Sequence, residues 1–200
     1  MHVRAPAILI AARQHGETAV VARFLTREYG VVAGYVAGGR GRQLRPVVIP
    51  GNTVDLQLSA RSESQLPFAK VELVESRGPW LTEPLPAAAI AWTCALTASA
   101  LPERQAYPNL FEALHGVLSA ICTAPSARGW AGALVGYETL LLREMGYGGE
   151  GARPTGDLGE IVTAMDRLSA PLQHYLLADR RGDVMAARAR LRELLGRMTQ

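Results

Sequence analysis

The stretch FLTREYGVVAGYVAGGRGRQLRP, Phe24 to Pro46, decides how the rest of the chain is read. It contains the end of one strand, a tight turn at Glu28-Tyr29-Gly30, a second strand from Val31 to Ala37, and then a glycine-arginine loop. β-Branched residues favour pleated backbone, and Gly30 can take the positive φ that a hairpin turn often needs. Gly38, Gly39 and Gly41 leave the following backbone unencumbered, which predicts a mobile loop. The ionisable groups of that loop are Arg40, Arg42 and Arg45. Guanidiniums stay protonated, so they make poor general acids or bases and good phosphate ligands. The stretch therefore predicts a polyanion-binding surface on a small β domain.

Outward from this hairpin the same reading continues. Thr18 to Leu25 pairs with Val31 to Ala37, and His15-Gly16-Glu17 makes the turn before it. Val3 to Ala12 is strand-like without clean alternation, and Pro6 is permitted if that strand starts at or bends along an edge. Between Asn52 and Ala60, Val54, Leu56, Leu58 and Ala60 point one way and Thr53, Asp55, Gln57 and Ser59 the other. Leu66 to Glu75 puts Ala69, Val71 and Leu73 inward, with Phe68, Lys70 and Glu72 on the opposite face. Five short strands with local links fit a small closed barrel better than an open sheet, since closure removes exposed edges.

Pro79, Pro84 and Pro86 punctuate a boundary, after which the period becomes helical. The expected organisation is α+β, with a β domain over 1–79 and a helical domain over 80–200. Helices are expected over 87–101, over Tyr107 to Thr123, and from a Ser126 cap to about Met145. This last one is apolar on nearly every side, through Trp130, Leu134, Tyr137, Leu141 and Met145, and so belongs in the middle of a bundle. The irregular segment 146–159 follows, then helices at Glu160 to Leu168, Pro171 to Ala178 and Asp183 to Met198. The final helix is expected to start at an Asp183 N-cap and bury Val184, Ala187, Leu191, Leu194 and Met198, leaving its arginines on a wet face.

Net charge is +3 over 200 residues, unevenly placed. Residues 1–80 hold ten Lys/Arg against six Asp/Glu, a net +4, and the remainder is −1. This suggests polyanion contact in the first half and protein contact in the second. Cys94 and Cys122 lack C-x-x-C spacing and read as buried free thiols, and the four histidines are scattered, so neither metal nor cofactor is expected. No signal-peptide pattern opens the chain and no apolar run reaches membrane-spanning length, which predicts a cytoplasmic protein with no membrane contact.

No catalytic constellation is found: G-x-x-x-x-G-K-[ST], H-E-x-x-H and G-x-S-x-G are all missing, and the glycines around Arg40 do not lead from a strand into a helix. His15 beside Glu17 fits a hairpin turn better than an acid-base pair. Arg40, Arg42 and Arg45, with Phe68 and Lys70 on an outer face, are the candidate nucleic-acid ligands. Cations that hold phosphates beside an aromatic that stacks bases are how small barrels bind single strands. Taken on its own, Phe68 fits packing under a loop slightly better than stacking on a base.

His15-Gly16-Glu17, Phe24-Leu25-Thr26-Arg27-Glu28-Tyr29-Gly30, Ala37-Gly38-Gly39-Arg40 and Pro50-Gly51-Asn52 together resemble the RecO family of bacterial DNA repair and recombination-mediator proteins. The likeness continues more loosely through Tyr137-Glu138, Leu140-Leu141-Leu142 and Met145-Gly146-Tyr147. It implies an N-terminal OB-fold, a C-terminal helical domain and no enzymatic activity. It also implies binding of single- and double-stranded DNA, annealing of complementary strands, and help to RecR in loading RecA onto DNA coated with single-stranded-DNA-binding protein, with nucleoid association during repair. Many relatives carry a four-cysteine zinc module after the long helix, whereas 146–159 here contains neither cysteine nor histidine, so zinc is not expected. Two alternatives are an adaptor that holds the acidic tail of the single-stranded-DNA-binding protein on its helical half, with Arg143 as rim cation, and a phosphate-handling enzyme.

Overall fold

A computed structural model describes residues 2–62, 65–148, 154, 157–178 and 184–199. Five strands come first: β1 His2–His15, β2 Ala19–Thr26, β3 Gly30–Val36, β4 Thr53–Ser59 and β5 Phe68–Glu75. Helices α1 Pro84–Ala100, α2 Pro108–Thr123, α3 Ala131–Glu144, α4 Leu158–Pro171 and α5 Val184–Gly196 follow, so the layout is α+β. The chain forms two compact units, 1–82 with 101–111, and 83–100 with 112–200.

In the first unit the strand pairings close into a ring in the order β1-β2-β3-β5-β4 and back to β1. The 14-residue β1 makes this possible by serving two neighbours: His2 to Ile8 pair with β4, and Ala7 to His15 pair with β2. A register shift between Leu9 and Ala11 bends it between them. Pro6 falls where β4 is the strand's one neighbour, so its missing N–H breaks no ladder. The poor alternation of β1 has a simple cause, since Ile8 and Ile10 are buried along with Ala7 and Leu9.

Alternation elsewhere fills the ring. Val3, Ala5, Ala7, Leu9, Val20, Ala22, Phe24, Val32, Val36, Val54, Leu56, Leu58, Ala69 and Val71 make one core. Leu73 departs from expectation. It pairs with buried Val54 yet is 42% exposed, because β3 touches β5 through the single parallel bridge Tyr35↔Phe68 and leaves that end of β5 uncovered. Gly30 is the glycine the fold demands: its φ is +66° and a Cβ there would lie 1.9 Å from the Gln105 carbonyl oxygen. Segment 101–111 packs here, with Arg104 N–H donating to Val31 O at 2.8 Å.

In the second unit α1 packs on α5, α3 on α4, and α4 on α5. α3 buries Leu134, Val135, Tyr137, Glu138, Leu141 and Leu142, as its all-round apolar character predicts. Ser126 does not cap it. The Ser126 carbonyl instead accepts from Gly129 N–H at 3.0 Å, closing a 3-10 turn over Ala127–Gly129, and Trp130 takes the position before α3. Pro171 does not begin a separate helix either. α4 runs through it into a π-helical turn at Leu172–Leu176, where the missing proline N–H has interrupted the regular ladder.

The terminal helix corrects a further expectation. Its buried residues are Arg188, Leu191 and Leu195, while Met198 is 51% exposed. Arg188 is drawn inward by Glu138, which is wholly buried on α3: Nε donates to Oε1 at 2.9 Å and Nη2 to Oε2 at 2.8 Å. Arg188 Nη2 also donates to Met165 O at 2.6 Å, and Trp92 Nε1 to Glu138 Oε1 at 2.8 Å. One bidentate pair thus ties α1, α3, α4 and α5. Nearby, burial pushes the Tyr137 phenol well above its ordinary pKa, and its oxygen shares a 2.6 Å hydrogen bond with Thr97 Oγ1. The N-cap expected at Asp183 lies outside the described residues.

Candidate nucleic-acid interface

The glycine-arginine loop is hydrogen-bonded and packed along its length, beyond what its glycines alone suggest. Gly41 N–H donates to Gly38 O, Arg45 N–H to Gly41 O and Val48 N–H to Leu44 O, all at 2.8–2.9 Å, so the loop folds into successive turns. Leu44 and Val47 pack against the ring core. Its far end is anchored by Asn52, wholly buried, whose amide donates to Pro46 O and Val47 O at 3.0 Å and accepts from Arg77 N–H at 2.8 Å. Arg77 is itself buried and forks onto the Glu75 carboxylate at 2.5 and 2.8 Å. Gly39 lies so close to Val20 that a Cβ would sit 3.0 Å from it, which seats the start of the loop on β2.

Arg40, Arg42 and Arg45 all stand exposed on this frame. Arg40 Nη1 donates to Glu17 O at 2.7 Å, and its N–H to Thr18 O at 3.0 Å, tying the loop to the β1–β2 turn. A cleft of about 370 Å³ lies between them, lined by Glu17, Thr18, Gly39, Arg40, Arg45 and Val48 among others. Arg42 does not line it.

Phe68 and Lys70 occupy a different place on the same unit. Phe68 is 62% exposed, which removes the reading that it packs under a loop. Strand register sets outward rows His2–Ser59–Phe68 and Arg4–Gln57–Lys70 across β1, β4 and β5. Two adjoining clefts, about 900 and 560 Å³, run over these rows and share His2, Ser59 and Phe68. Arg61, Gln65 and Leu66 of the β4–β5 loop line the larger, and Arg4 and Lys70 the smaller. Lys70 is 3.3 Å from Glu72, and Arg4 3.0 Å from Asp55, both pairs at the surface where such contacts contribute little.

Aromatic rings lead from these clefts toward the arginine loop. Phe68 meets Tyr35 edge-to-face at 5.4 Å between centroids, and Tyr35 meets His15 at 5.8 Å. His15 ends β1, one residue before the turn that Arg40 grips. Thus the five ligands proposed from sequence fall on one unit in two groups, with His15 and Tyr35 between. His2, Arg4, Arg61, Tyr35 and His15 stand beside them and are not among the ligands proposed from sequence. Parity in β1 puts His2 and Arg4 outward, opposite Val3 and Ala5, but which strands flank them is a matter of ring order.

Arg143, the candidate protein-partner cation, is exposed in the last turn of α3. Cys94 and Cys122 are buried free thiols. Among the described residues no cluster of His, Cys, Asp or Glu could hold a metal ion, and no helix is long and apolar enough to cross a membrane. The thiol set of a zinc module is missing from 146–159 altogether, so these residues do not fit that metal. Elemental analysis of the purified protein is expected to find no stoichiometric zinc, and a chelator to leave Tm unchanged. About one zinc per chain would contradict this.

A closed ring of five strands with a basic, aromatic-edged face, joined to a helical unit, defines a two-part α+β protein. Residues 1–77 match the family described as Recombination protein O N terminal, and residues 83–151 the one described as Recombination protein O C terminal. The DNA repair protein RecO of Rhodospirillum centenum is 43% identical over 143 residues, covering 71% of this chain and 56% of its own length. The DNA repair protein RecO of Jannaschia sp. is 38% identical over 149 residues, covering 74% and 59%. That of Gluconacetobacter diazotrophicus is 34% identical over 151 residues, covering 74% and 59%. The chain belongs to the RecO family of DNA repair proteins. It spans less than two thirds of the length of these relatives.

Proposed function

We propose that the strand ring is an OB-fold barrel that binds single- and double-stranded DNA, and that the protein anneals complementary strands without making or breaking bonds. The observation that carries this reading is the largely exposed Phe68, set between Tyr35 and clefts lined by His2, Arg4, Arg61 and Lys70. Small barrels of this kind bind oligonucleotides over the face of strands 2 and 3 together with the β1–β2 and β4–β5 loops. Here those loops supply Glu17, Thr18 and Arg61, and the loop after β3 adds Arg40, Arg42 and Arg45. Aromatic faces hold bases and guanidiniums hold phosphates, with no demand for a particular sequence. The proposed division is a DNA-binding domain over 1–79 and a helical domain over 80–200 that meets protein partners.

In this reading the protein works in the cytoplasm, at the nucleoid during repair, with RecR, to load RecA on DNA coated with single-stranded-DNA-binding protein. Support for these partners is family membership alone. Mixing the protein with two complementary oligonucleotides tests the core of the proposal: pairing is expected to accelerate without any cofactor. No acceleration would favour the adaptor, and covalently altered strands an enzyme.

Two substitutions sharpen the reading. Phe68→Ala is expected to weaken single-strand binding by about 1–3 kcal/mol with little change in salt slope, because stacking releases no counterions. An unchanged affinity would take Phe68 out of the site. If Arg143 holds a carboxylate of the acidic tail, Arg143→Ala is expected to weaken binding of a tail peptide and leave DNA affinity unchanged. Unchanged tail affinity would remove that assignment.

A further inference from the structure

The helical unit carries an aromatic surface that its internal packing does not explain. Gly146, two residues beyond the end of α3, has a φ of +86°, with Gly146 N–H donating to Arg143 O at 3.0 Å and Tyr147 N–H to Leu142 O at 2.9 Å. These crossed bonds satisfy the last carbonyls of the helix and fix where Tyr147 leaves it. His174 and Tyr175 come from the π-helical turn Leu172–Leu176, and such turns recur at functional sites. The Tyr147 and Tyr175 rings are 4.9 Å apart between centroids with planes only 12° from parallel, and His174 meets Tyr175 edge-on at 4.7 Å. Both tyrosines stay nearly half exposed, at 46% and 48%, while Tyr137 of the same unit is 1% exposed.

Parallel rings in contact lie about 3.5–4 Å apart between planes, so a longer centroid distance means that these two are slipped. A slipped pair leaves ring face available to a third flat group. Beside it opens a cleft of about 540 Å³, lined by the three rings together with Met145, Leu176 and Ala178. Leu176 and Ala100 are buried, so beyond the rings the apolar wall is half-buried Met145 and the small exposed Ala178, and the cleft stays open rather than enclosed. A peptide anchor residue needs an enclosed, desolvated pocket. A nucleobase needs only an open aromatic face and tolerates a wet rim.

We propose that Tyr147 and Tyr175 form a stacking platform for a base of single-stranded nucleic acid, a second strand contact carried by the helical unit. The proposal rests on the single-strand binding inferred above and adds a site to it. Among the described residues no guanidinium lines the cleft, so stacking there is expected to leave the salt slope unchanged.

The test uses the full chain and oligothymidylate carrying 5-iododeoxyuridine, with photo-crosslinks mapped by peptide mass spectrometry. Crosslinks are expected at Tyr147 or Tyr175, and are expected to persist when Arg40, Arg42 and Arg45 are replaced by alanine. Tyr175→Ala is expected to weaken binding roughly five- to tenfold with the salt slope unchanged, and Tyr175→Phe to restore it, since the ring stacks with or without its hydroxyl. Tyr147→Ala provides an independent variant should Tyr175→Ala disturb the π turn. Crosslinks confined to Phe68, Tyr35 and the loops would overturn the second site and leave the ring reading standing. No crosslink anywhere, with no binding, would overturn both. An acidic peptide ending in an aromatic residue that binds the wild type, loses that binding in Tyr175→Ala and leaves DNA affinity untouched would reassign the platform to a protein partner.

Discussion

Arg188→Ala is expected to cost the helical unit about 3–5 kcal/mol, the penalty for leaving a buried charge without its partner. Glu138 is wholly buried, and both of its oxygens accept from Arg188. Without the guanidinium, the carboxylate keeps a single hydrogen bond, from Trp92 Nε1, and Met165 O loses its side-chain donor. Urea unfolding followed by circular dichroism measures the loss as a shift in midpoint. The double variant Glu138→Gln with Arg188→Met separates charge from packing. The new amide oxygen still accepts from Trp92, both charges are gone, and most of the loss is expected to return, because a buried ion pair contributes little beyond an apolar replacement of similar volume. A double variant as unstable as Arg188→Ala would place the cost in lost packing. The exposed pair Asp166–Arg192 is the contrast: the guanidinium holds the Asp166 carboxyl below its ordinary pKa, yet an exposed pair contributes little to stability.

Replacing Arg40, Arg42 and Arg45 together with alanine is expected to reduce the slope of log affinity against log salt by up to about 2 units on single strands, since each lost phosphate contact removes roughly 0.7. The loss is expected to be nearly independent of DNA sequence, since guanidinium–phosphate contacts position the strand without reading bases. Stability is expected to fall by only about 1 kcal/mol, the worth of the Arg40–Glu17 hydrogen bond, because the loop is held by Leu44, Val47 and Asn52 rather than by its arginines. Fluorescence anisotropy across a salt series, beside a melting curve, reads both quantities. A triple variant with wild-type affinity and slope would make the loop a connector and move the phosphate contacts to Arg4, Arg61 and Lys70.

Short-range pattern sufficed wherever one neighbour decides a residue's fate. In β4 the alternation of Val54, Leu56 and Leu58 with Asp55 and Gln57 needs only a core on one side, and the positive φ of Gly30 needs only a turn, though its closeness to Gln105 is tertiary. Phe68 and Lys70 likewise fall on the outer face by parity alone. Leu73 has the parity of a core residue and is exposed, because its burial depended on β3 continuing along β5, which it does not.

The basic loop was legible as chemistry, from three guanidiniums among glycines, but the bonding that shapes it was not. The bonds that hold it come from Asn52, Thr18 and Glu17, and from the packing of Leu44 and Val47. The same holds for the row from His15 through Tyr35 to Phe68, whose members come from three strands and meet through ring order. By itself the sequence determined five strands followed by helices, and the types of side chain available to meet a polyanion, because period and composition are local properties. Tertiary structure alone decided which cations flank Phe68 and which arginine of α5 is buried. Arg188 looks like its exposed neighbours Arg190 and Arg192 until Glu138, fifty residues away, is folded against it.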